Sequence, residues 1–204
     1  MFTCRPTHCA CCRPEVSAQL HVLADGYAAD RVASTVSLIL DGTQVVVVDP
    51  GMVRDRSVIL DPLRHHGIDV QDVTDVVLSH HHPDHTMNVA LFPNARVHDH
   101  QAIYLADVWD DAEVDETGRL VSPHVRLIAT PGHTPQDITT AVTTDAGLIV
   151  CTHLWWHETG PEVDPYAPDR ELLREQRERV LALAPALVVP GHGAPFMVSA
   201  STPR

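Results

Sequence analysis

Residues 80 to 85 hold four histidines and one aspartate in six consecutive positions: His80, His81, His82, Asp84 and His85. Neutral imidazole and carboxylate are the usual ligands of zinc, iron and manganese where thiolate is absent. Imidazoles this crowded would also repel one another if they were protonated. The pattern therefore favours a metal site over a surface run of histidines or a purification tag, which would lie at a terminus without an apolar stretch in front of it.

The residues before and inside the cluster predict how it is presented. Residues 75–78, Asp-Val-Val-Leu, have the composition of a strand. Side chains alternate along a strand, so the first and third histidines point to one side and the second, His81, points to the other. Pro83 is tolerated in the first turn of a helix, from which Asp84 and His85 project towards the same space. The sequence predicts an H-x-H-x-D-H site at a strand-to-helix corner.

Three further motifs follow in a fixed order around this cluster: VDPG at 48–51, TPGHTP at 130–135 and VPGHG at 189–193. One Pro-Gly-His alone is weak evidence, but the ordered set is specific. Together with residues 79–85 it resembles the metallo-β-lactamase superfamily of metallohydrolases over most of the chain. Residues 186–196 and the early Gly26-Tyr27-Ala28 resemble the metallo-β-lactamase domain-containing protein 1 branch of that superfamily.

The resemblance implies an α+β fold, the four-layer αβ/βα sandwich of a single domain, with Asp49 bracing the metal loop from behind. It implies zinc as the cofactor, as one or two ions, with iron or manganese as alternatives. The implied ligands of the first ion are His80, His82 and His133. Those of the second ion are Asp84, His85 and His192, and His153 occupies the position that bridges the two ions.

The same resemblance implies hydrolytic chemistry at this centre. A metal ion so held lowers the pKa of its bound water to about 7 and polarises the bond to be cut. Asp84 is the predicted catalytic residue, which orients that water and passes on its proton. Neither a serine nor a cysteine nucleophile is needed.

Position 153 departs from the resembled pattern. The family holds an aspartate there that is shared by two ions, whereas this chain has His153. A carboxylate can bridge two cations, but a neutral imidazole nitrogen binds only one. We favour a ligand role for His153 in a modified two-metal or single-metal centre. Otherwise the site is altered beyond hydrolysis, or a nearby carboxylate such as Glu158 takes over.

Four aromatic side chains outside the motifs are candidates for other roles. Trp155 and Trp156 are predicted to line an apolar substrate pocket, with core packing as the alternative for one of them. His98 and His100 flank Asp99 and could reach a metal. A surface position at the end of a strand is the preferred interpretation for both histidines.

Apolar periodicity predicts an order of strands and helices that suits the implied sandwich. The acidic stretch 106–118 is expected to be a solvated loop, or else a lid near the site. The expected helices are 54–66, 84–91 and 168–183. The expected strands are 19–24, 34–40, 44–48, 75–78, 95–98, 125–129, 137–143, 147–151 and 186–189.

The composition limits the class of partner. All 14 cationic residues are arginine, and 27 acidic residues bring the net charge to −13. Nucleic acid is an improbable partner because its binding depends on neutralisation of phosphates by a basic surface. The sequence has no apolar run of membrane-spanning or signal-peptide length, so we expect a cytoplasmic protein without a membrane partner. A small-molecule substrate is expected, and a homodimer is compatible with the sequence.

The chain divides into a leader, one domain and a short tail. Residues 1–17 contain Cys4, Cys9, Cys11 and Cys12 among prolines and arginines, and their spacing does not give two C-x₂-C pairs. We predict a disordered leader here, with a thiolate metal site or a redox cluster as the alternatives. Residues 18–198 are predicted to form the domain, and residues 199–204 a loose tail.

These observations favour a hydrolase that uses a metal-bound hydroxide on a small ester, thioester or lactone. A phosphodiesterase or ribonuclease of the same fold is one alternative, and it requires a basic strip near the metal. The candidate residues for that strip are Arg54, Arg56, Arg96, Arg126 and Arg170. Two further hypotheses are a metal-binding module without turnover, which His153 suggests, and redox chemistry at a pair of iron ions.

Overall fold

The computed structural model describes residues 17–204, and the predicted leader lies outside this range except for Ser17. The helices are α1 (Ser57–His65), α2 (Pro83–Thr86) and α3 (Arg170–Ala182), with 3-10 turns at Val70–Asp72 and Val89–Leu91. The strands are β1 (Gln19–Ala24), β2 (Tyr27–Ala28), β3 (Val32–Ala33), β4 (Val36–Asp41), β5 (Gln44–Val48), β6 (Asp75–Val77), β7 (Arg96–His98), β8 (Ala102–Leu105), β9 (Val108–Asp111), β10 (Arg119–Ser122), β11 (Val125–Ala129), β12 (Ile138–Thr144), β13 (Gly147–Thr152) and β14 (Leu187–Pro190).

The strands form two mixed sheets and a small hairpin. The first sheet has the order β1-β4-β5-β6-β7-β8-β9, the second has the order β10-β11-β12-β13-β14, and β2 pairs with β3. The pairs β5–β6, β6–β7 and β13–β14 are parallel, and the other pairs are antiparallel. Parallel strands in register bring their carboxyl ends to the same edge of a sheet. The clustered histidines of this chain come just after these strand ends.

The valine run of β5 shows why the sheets stack face to face. Val46 and Val48 pack between the two sheets, against Leu127 and Val142 of the second sheet, whereas Val47 packs on the opposite face. The two-residue alternation of a strand therefore buries both faces of β5. This explains a continuous apolar run where a half-exposed strand would alternate with polar residues.

One helix covers the outer face of each sheet. Ile59 and Leu63 of α1 are buried against the first sheet, and Leu173 and Val180 of α3 are buried against the second. Asp169 caps α3, because its side chain accepts hydrogen bonds from two backbone N–H groups of the first turn. The order helix, sheet, sheet, helix confirms the predicted αβ/βα sandwich.

Two predicted elements differ from the structure. Within the acidic stretch 106–118, β9 forms an edge hairpin with β8, on which Trp109 packs against Tyr104 with ring centroids 4.6 Å apart. The four residues of β9 are all exposed, so the sequence lacks the alternation of apolar and polar residues that predicts a strand with one buried face. The predicted helix 84–91 is divided into α2 and a 3-10 turn.

The last residues contact the domain. Thr202 is buried, and the carbonyl oxygen of Pro203 accepts a hydrogen bond of 2.9 Å from the indole N–H of Trp155. The division into leader, domain and tail stays a prediction. Among residues 17–204, no helix is both long and apolar enough to cross a membrane.

The outer core provides a stability test with a matched control. Leu63 is 1% exposed, whereas Leu183, just after α3, is 42% exposed. Leu63→Ala is expected to lower the free energy of unfolding by about 2–5 kcal/mol, because it removes buried methyl groups and leaves a cavity. Leu183→Ala is expected to change it by less than about 0.5 kcal/mol. Urea unfolding measures both, and equal losses would contradict this packing.

Candidate metal centre

The candidate ligands lie in loops at one edge of the stacked sheets. His80 follows β6 after two residues, His153 follows β13 directly, and His192 follows β14 by two positions. Because β13 and β14 are parallel, His153 and His192 leave the second sheet side by side. Their Nε2 atoms are 3.0 Å apart.

The first predicted trio is brought together around His82. Nδ1 of His82 lies 2.9 Å from Nε2 of His80 and 3.0 Å from Nε2 of His133. His82 is the N-cap of α2 and has extended backbone angles, so the chain turns into the helix after this side chain. Pro83 occupies the first helical turn, where the missing N–H costs nothing. Sequence spacing alone predicted this corner.

The second predicted trio surrounds Asp84. Its Oδ2 atom lies 3.4 Å from Nε2 of His85 and 3.5 Å from Nε2 of His192. The Nε2 atom of His85 is buried and has no hydrogen-bond partner among the described residues. A buried polar atom without a partner costs free energy unless a water molecule or an ion satisfies it.

His153 lies between the two trios. It forms one ligand-capable group with His80 and His85, whose nitrogen atoms all lie within 4.8 Å of one another. Its ring lies against that of His133, with centroids 4.0 Å apart. A Cβ atom at Gly191 would lie 2.7 Å from Nε2 of His153, so the glycine makes room for the imidazole.

Glu158, the alternative to His153 as a bridging group, is exposed and belongs to none of the metal-capable groups in the described part of the chain. The Nδ1 atom of His153, in contrast, is buried and unpaired among residues 17–204. His153, and not Glu158, is therefore the side chain that lies between the two trios.

Burial keeps several of these imidazoles uncharged. Burial, together with repulsion from the neighbouring histidines, holds the pKa of His80 and of His153 well below its ordinary value. Burial likewise lowers the pKa of His192 to about 4. For His85, burial alone would lower the pKa, but the Asp49 carboxylate raises it overall. Neutral imidazoles keep a lone pair for a metal ion at neutral pH.

Asp49 supports the metal loop from β5. Its Oδ1 accepts a hydrogen bond of 2.7 Å from the backbone N–H of Ser79, and its Oδ2 lies 2.8 Å from Nδ1 of His85. Asp49 has a φ of 52°, in the left-handed region that a non-glycine residue rarely adopts. Two residues on, a Cβ atom at Gly51 would lie 1.5 Å from the carbonyl oxygen of Asp84. The VDPG motif therefore places the carboxylate of Asp49 and the backbone of Gly51, which has no side chain, against α2.

Asp164 is a functional candidate that the sequence did not indicate. Its Oδ2 lies 2.7 Å from Nδ1 of His133 and accepts a hydrogen bond of 2.9 Å from the indole N–H of Trp156. Its Oδ1 accepts a hydrogen bond from the backbone N–H of Tyr166. A carboxylate on the far nitrogen of a ligating histidine fixes its tautomer and ring orientation. No motif or spacing marks a contact 31 residues away from His133.

A pocket of about 440 Å³ opens over these groups. On one side it is bounded by the β2–β3 hairpin, residues 28–32, and on the other by Trp156 and Tyr166, whose rings stack with centroids 6.0 Å apart. The polar side chains at its base are His82, Asp84, His133 and His192. The metal-capable groups are thus open to a small molecule from one direction.

Trp155 and His98 correct two sequence interpretations. Trp155 has no exposed surface and packs in the outer core near Phe196, so a pocket role is wrong for it and the core-packing alternative holds. His98 is 2% exposed, and its Nε2 lies 2.8 Å from Oδ1 of Asp75, so it is not a surface residue. Both side chains lie in a packed interior that local sequence does not reveal.

The donor set fits a divalent ion of borderline softness. Neutral imidazoles with one carboxylate suit zinc, iron and manganese, and thiolate is absent from the metal-capable groups in the described residues. Cys151, the free cysteine of this region, is buried, and burial raises the pKa of its thiol to about 12. The buried unpaired nitrogens of His85 and His153 are the atoms such ions would satisfy.

Comparison with known proteins agrees with this geometry. The family model for the metallo-β-lactamase superfamily matches residues 29–110. The metallo-β-lactamase domain-containing protein 1 of Xenopus laevis is 32% identical, over 88% of this chain and 81% of that protein. The chain belongs to the metallo-β-lactamase superfamily. This confirms the predicted superfamily and the predicted branch.

Solved structures of the superfamily share the fold. A Thermotoga maritima protein assigned to the metallo-β-lactamases superposes with a TM-score of 0.70 at 21% identity, over 89% of this chain and all of that one. A quorum-quenching N-acyl homoserine lactone lactonase superposes with a TM-score of 0.63 at 18% identity, over 87% of this chain and 92% of that one.

The Asp164 contact predicts an effect on metal binding. Asp164→Asn removes the negative charge that holds His133 in one tautomer, so zinc affinity is expected to fall about 10- to 100-fold. Asp110→Asn removes an equal charge from an exposed strand and is the control, expected to bind zinc like the wild type. Competition with a chromophoric chelator measures both. Equal affinity in the two variants would show that Asp164 does not position His133.

Proposed function

We propose that this protein is a metal-dependent hydrolase of a small ester, thioester or lactone. The observation that carries the proposal is the juxtaposition of metal-capable side chains and a pocket of about 440 Å³ that has two aromatic side chains in its wall. This volume lies in the range of small-molecule sites. The shared fold with a lactone-cleaving enzyme supports the carbonyl chemistry.

The proposed ligands divide as the resemblance implies. His80, His82 and His133 would hold one ion, Asp84, His85 and His192 would hold a second ion, and His153 would be a further ligand. Zinc is the proposed metal, because the set is mainly imidazole. A divalent ion held by these residues would supply Lewis-acid polarisation of a carbonyl and a nucleophile at neutral pH.

Asp84 is the proposed catalytic residue, because its carboxylate borders the pocket and is 14% exposed. It orients the attacking water and accepts its proton, and the same carboxyl group can return that proton to the leaving oxygen or sulfur. Trp156 and Tyr166 bind the apolar part of the substrate. The Asp164 carboxylate fixes the indole of Trp156 relative to His133.

The nuclease alternative has little support. Arg56 donates to the side chain of Asn88, Arg96 pairs with Asp75, and Arg126 donates to the carbonyl oxygen of Thr117. None of the five predicted arginines borders the pocket, where Arg31 is the single cation among the described residues. A polyanionic substrate would need a basic strip that this entrance lacks.

His153 favours one further candidate, a metal-binding module without turnover. A neutral imidazole cannot bridge two ions as a carboxylate does. The second ion is therefore expected to bind more weakly than the first. In the module, a metal-loaded protein would hydrolyse none of the candidate substrates. His153→Asp would then gain an ion relative to the wild type, as elemental analysis would show.

The hydrolase proposal predicts an activity that depends on the ligands. Zinc-loaded wild type is expected to cleave at least one class in a panel of lactones, aryl esters, thioesters, β-lactams and phosphodiesters, with a preference for carbonyl compounds. Loss of a ligand forfeits several kcal/mol of charge stabilisation, so His82→Ala should lower kcat/KM more than about 100-fold. His65→Ala, at the exposed end of α1, is the matched control and should retain the wild-type rate.

Two results would overturn the proposal. One is the absence of turnover across the panel by wild-type protein with a full complement of metal. The second is equal activity of the wild type and His82→Ala, which would indicate a contaminating hydrolase. A preference for phosphodiesters over every carbonyl compound would move the nuclease alternative ahead.

A further inference from the structure

A second group of metal-capable side chains lies outside the centre described above. The strands β6 and β7 are parallel and pair Val77 with His98, so the residues that follow them leave the sheet together. His81, the histidine of the cluster that points away from the centre, thereby meets Asp99 and His100. The three share no member with the metal-capable groups of the centre, and none of them borders the 440 Å³ pocket.

The geometry of this group suits three ligands of one ion. Nε2 of His81 lies 2.9 Å from Oδ2 of Asp99, and the rings of His81 and His100 have centroids 5.4 Å apart. One ligand atom from each of the three residues lies within 4.8 Å of the other two. Two imidazoles and a carboxylate form a known zinc-binding combination.

The Nδ1 atom of His100 is the independent observation that points to a ligand. It is buried and has no hydrogen-bond partner among residues 17–204. The backbone of His100 is fixed, because its carbonyl oxygen accepts a hydrogen bond of 2.8 Å from the N–H of Val114. A buried polar atom held in place without a partner requires an explanation, and a bound cation supplies one.

Asp99 is a preformed anionic anchor. Its Oδ1 accepts hydrogen bonds of 2.8 Å from the backbone N–H groups of Gln101 and Ala102, and its Oδ2 accepts one of 2.6 Å from the hydroxyl of Tyr104. Burial alone would raise the pKa of Asp99, but these hydrogen bonds hold it below its ordinary value. The carboxylate is therefore charged and fixed before any ion arrives, and a lone pair of Oδ2 stays available.

We propose that His81, Asp99 and His100 form a second, separate zinc site at the surface beside the metal centre. Without the ion, the N–H of His81 Nε2 donates to Asp99. On binding, the neutral ring changes tautomer: Nε2 gives up its proton, Nδ1 takes one up through solvent, and the freed Nε2 lone pair and Oδ2 bind the ion in place of that proton. The side chain of His81 is 43% exposed, so water can supply the fourth ligand.

Such an ion would join two loops with different roles. His81 lies between the proposed ligands His80 and His82, and His100 belongs to the turn between β7 and β8. The ion would cross-link the metal loop to that turn without contacting the substrate. The proposal does not depend on hydrolysis, because it concerns zinc binding alone.

The test counts zinc ions per chain in titrations of the full-length protein, for the wild type, His81→Gln, His100→Ala and the control His65→Ala. His65 is exposed at the end of α1, so its removal takes away a histidine far from the group. We expect His81→Gln and His100→Ala each to bind one zinc ion fewer than the wild type. His65→Ala is expected to keep the wild-type count.

A wild-type zinc count in either His81→Gln or His100→Ala would overturn the proposal. So would a loss of every ion in both variants, because the effect would then not be confined to one site. Circular dichroism shows whether each variant folds. If His100→Ala does not fold, His81→Gln decides the question, since its side chain is half-exposed and its replacement leaves the core unchanged.

Discussion

The arrangement depends on the packing of five imidazoles into one buried space. His80, His85, His133, His153 and His192 are each at most 7% exposed, and they contact one another at the edge of the two sheets. The group contains buried nitrogens that nothing in the described residues satisfies. Each such atom carries a desolvation cost of about 1–3 kcal/mol. Metal ions that bind these nitrogens would turn this cost into binding energy.

The sandwich supplies the rigidity that such packing needs. Parallel pairs in both sheets end at the same edge, and the ligands follow those ends within a few residues. A second layer of carboxylates then orients the imidazoles, with Asp49 on His85 and Asp164 on His133. Asp164 also holds the indole of Trp156, so one carboxylate connects a proposed ligand to the wall of the pocket. Asp164 is therefore the residue through which the position of the proposed ligand His133 and that of the proposed substrate contact Trp156 are linked.

Local sequence predicted those parts of the structure that local rules govern. Pro83 indicated the start of the helix after His82, and the ordered motifs indicated the fold. It could not give Asp164 or the burial of Trp155, because both depend on contacts between distant segments. The exposed edge strand β9 was missed since no face of it is buried. His98 looked like a strand-end surface residue, but Asp75 on the neighbouring strand pairs with it inside the sheet.

The most direct test of the metal-centre account is X-ray absorption at the zinc edge of zinc-loaded protein, for the wild type beside His153→Asp. The account predicts a first shell of nitrogen and oxygen at about 2.0–2.1 Å with outer scattering typical of imidazole. It also predicts that His153→Asp lowers the imidazole contribution, because that residue ligates. An imidazole signal that is the same in both proteins, or a shell without imidazole in the wild type, would contradict it.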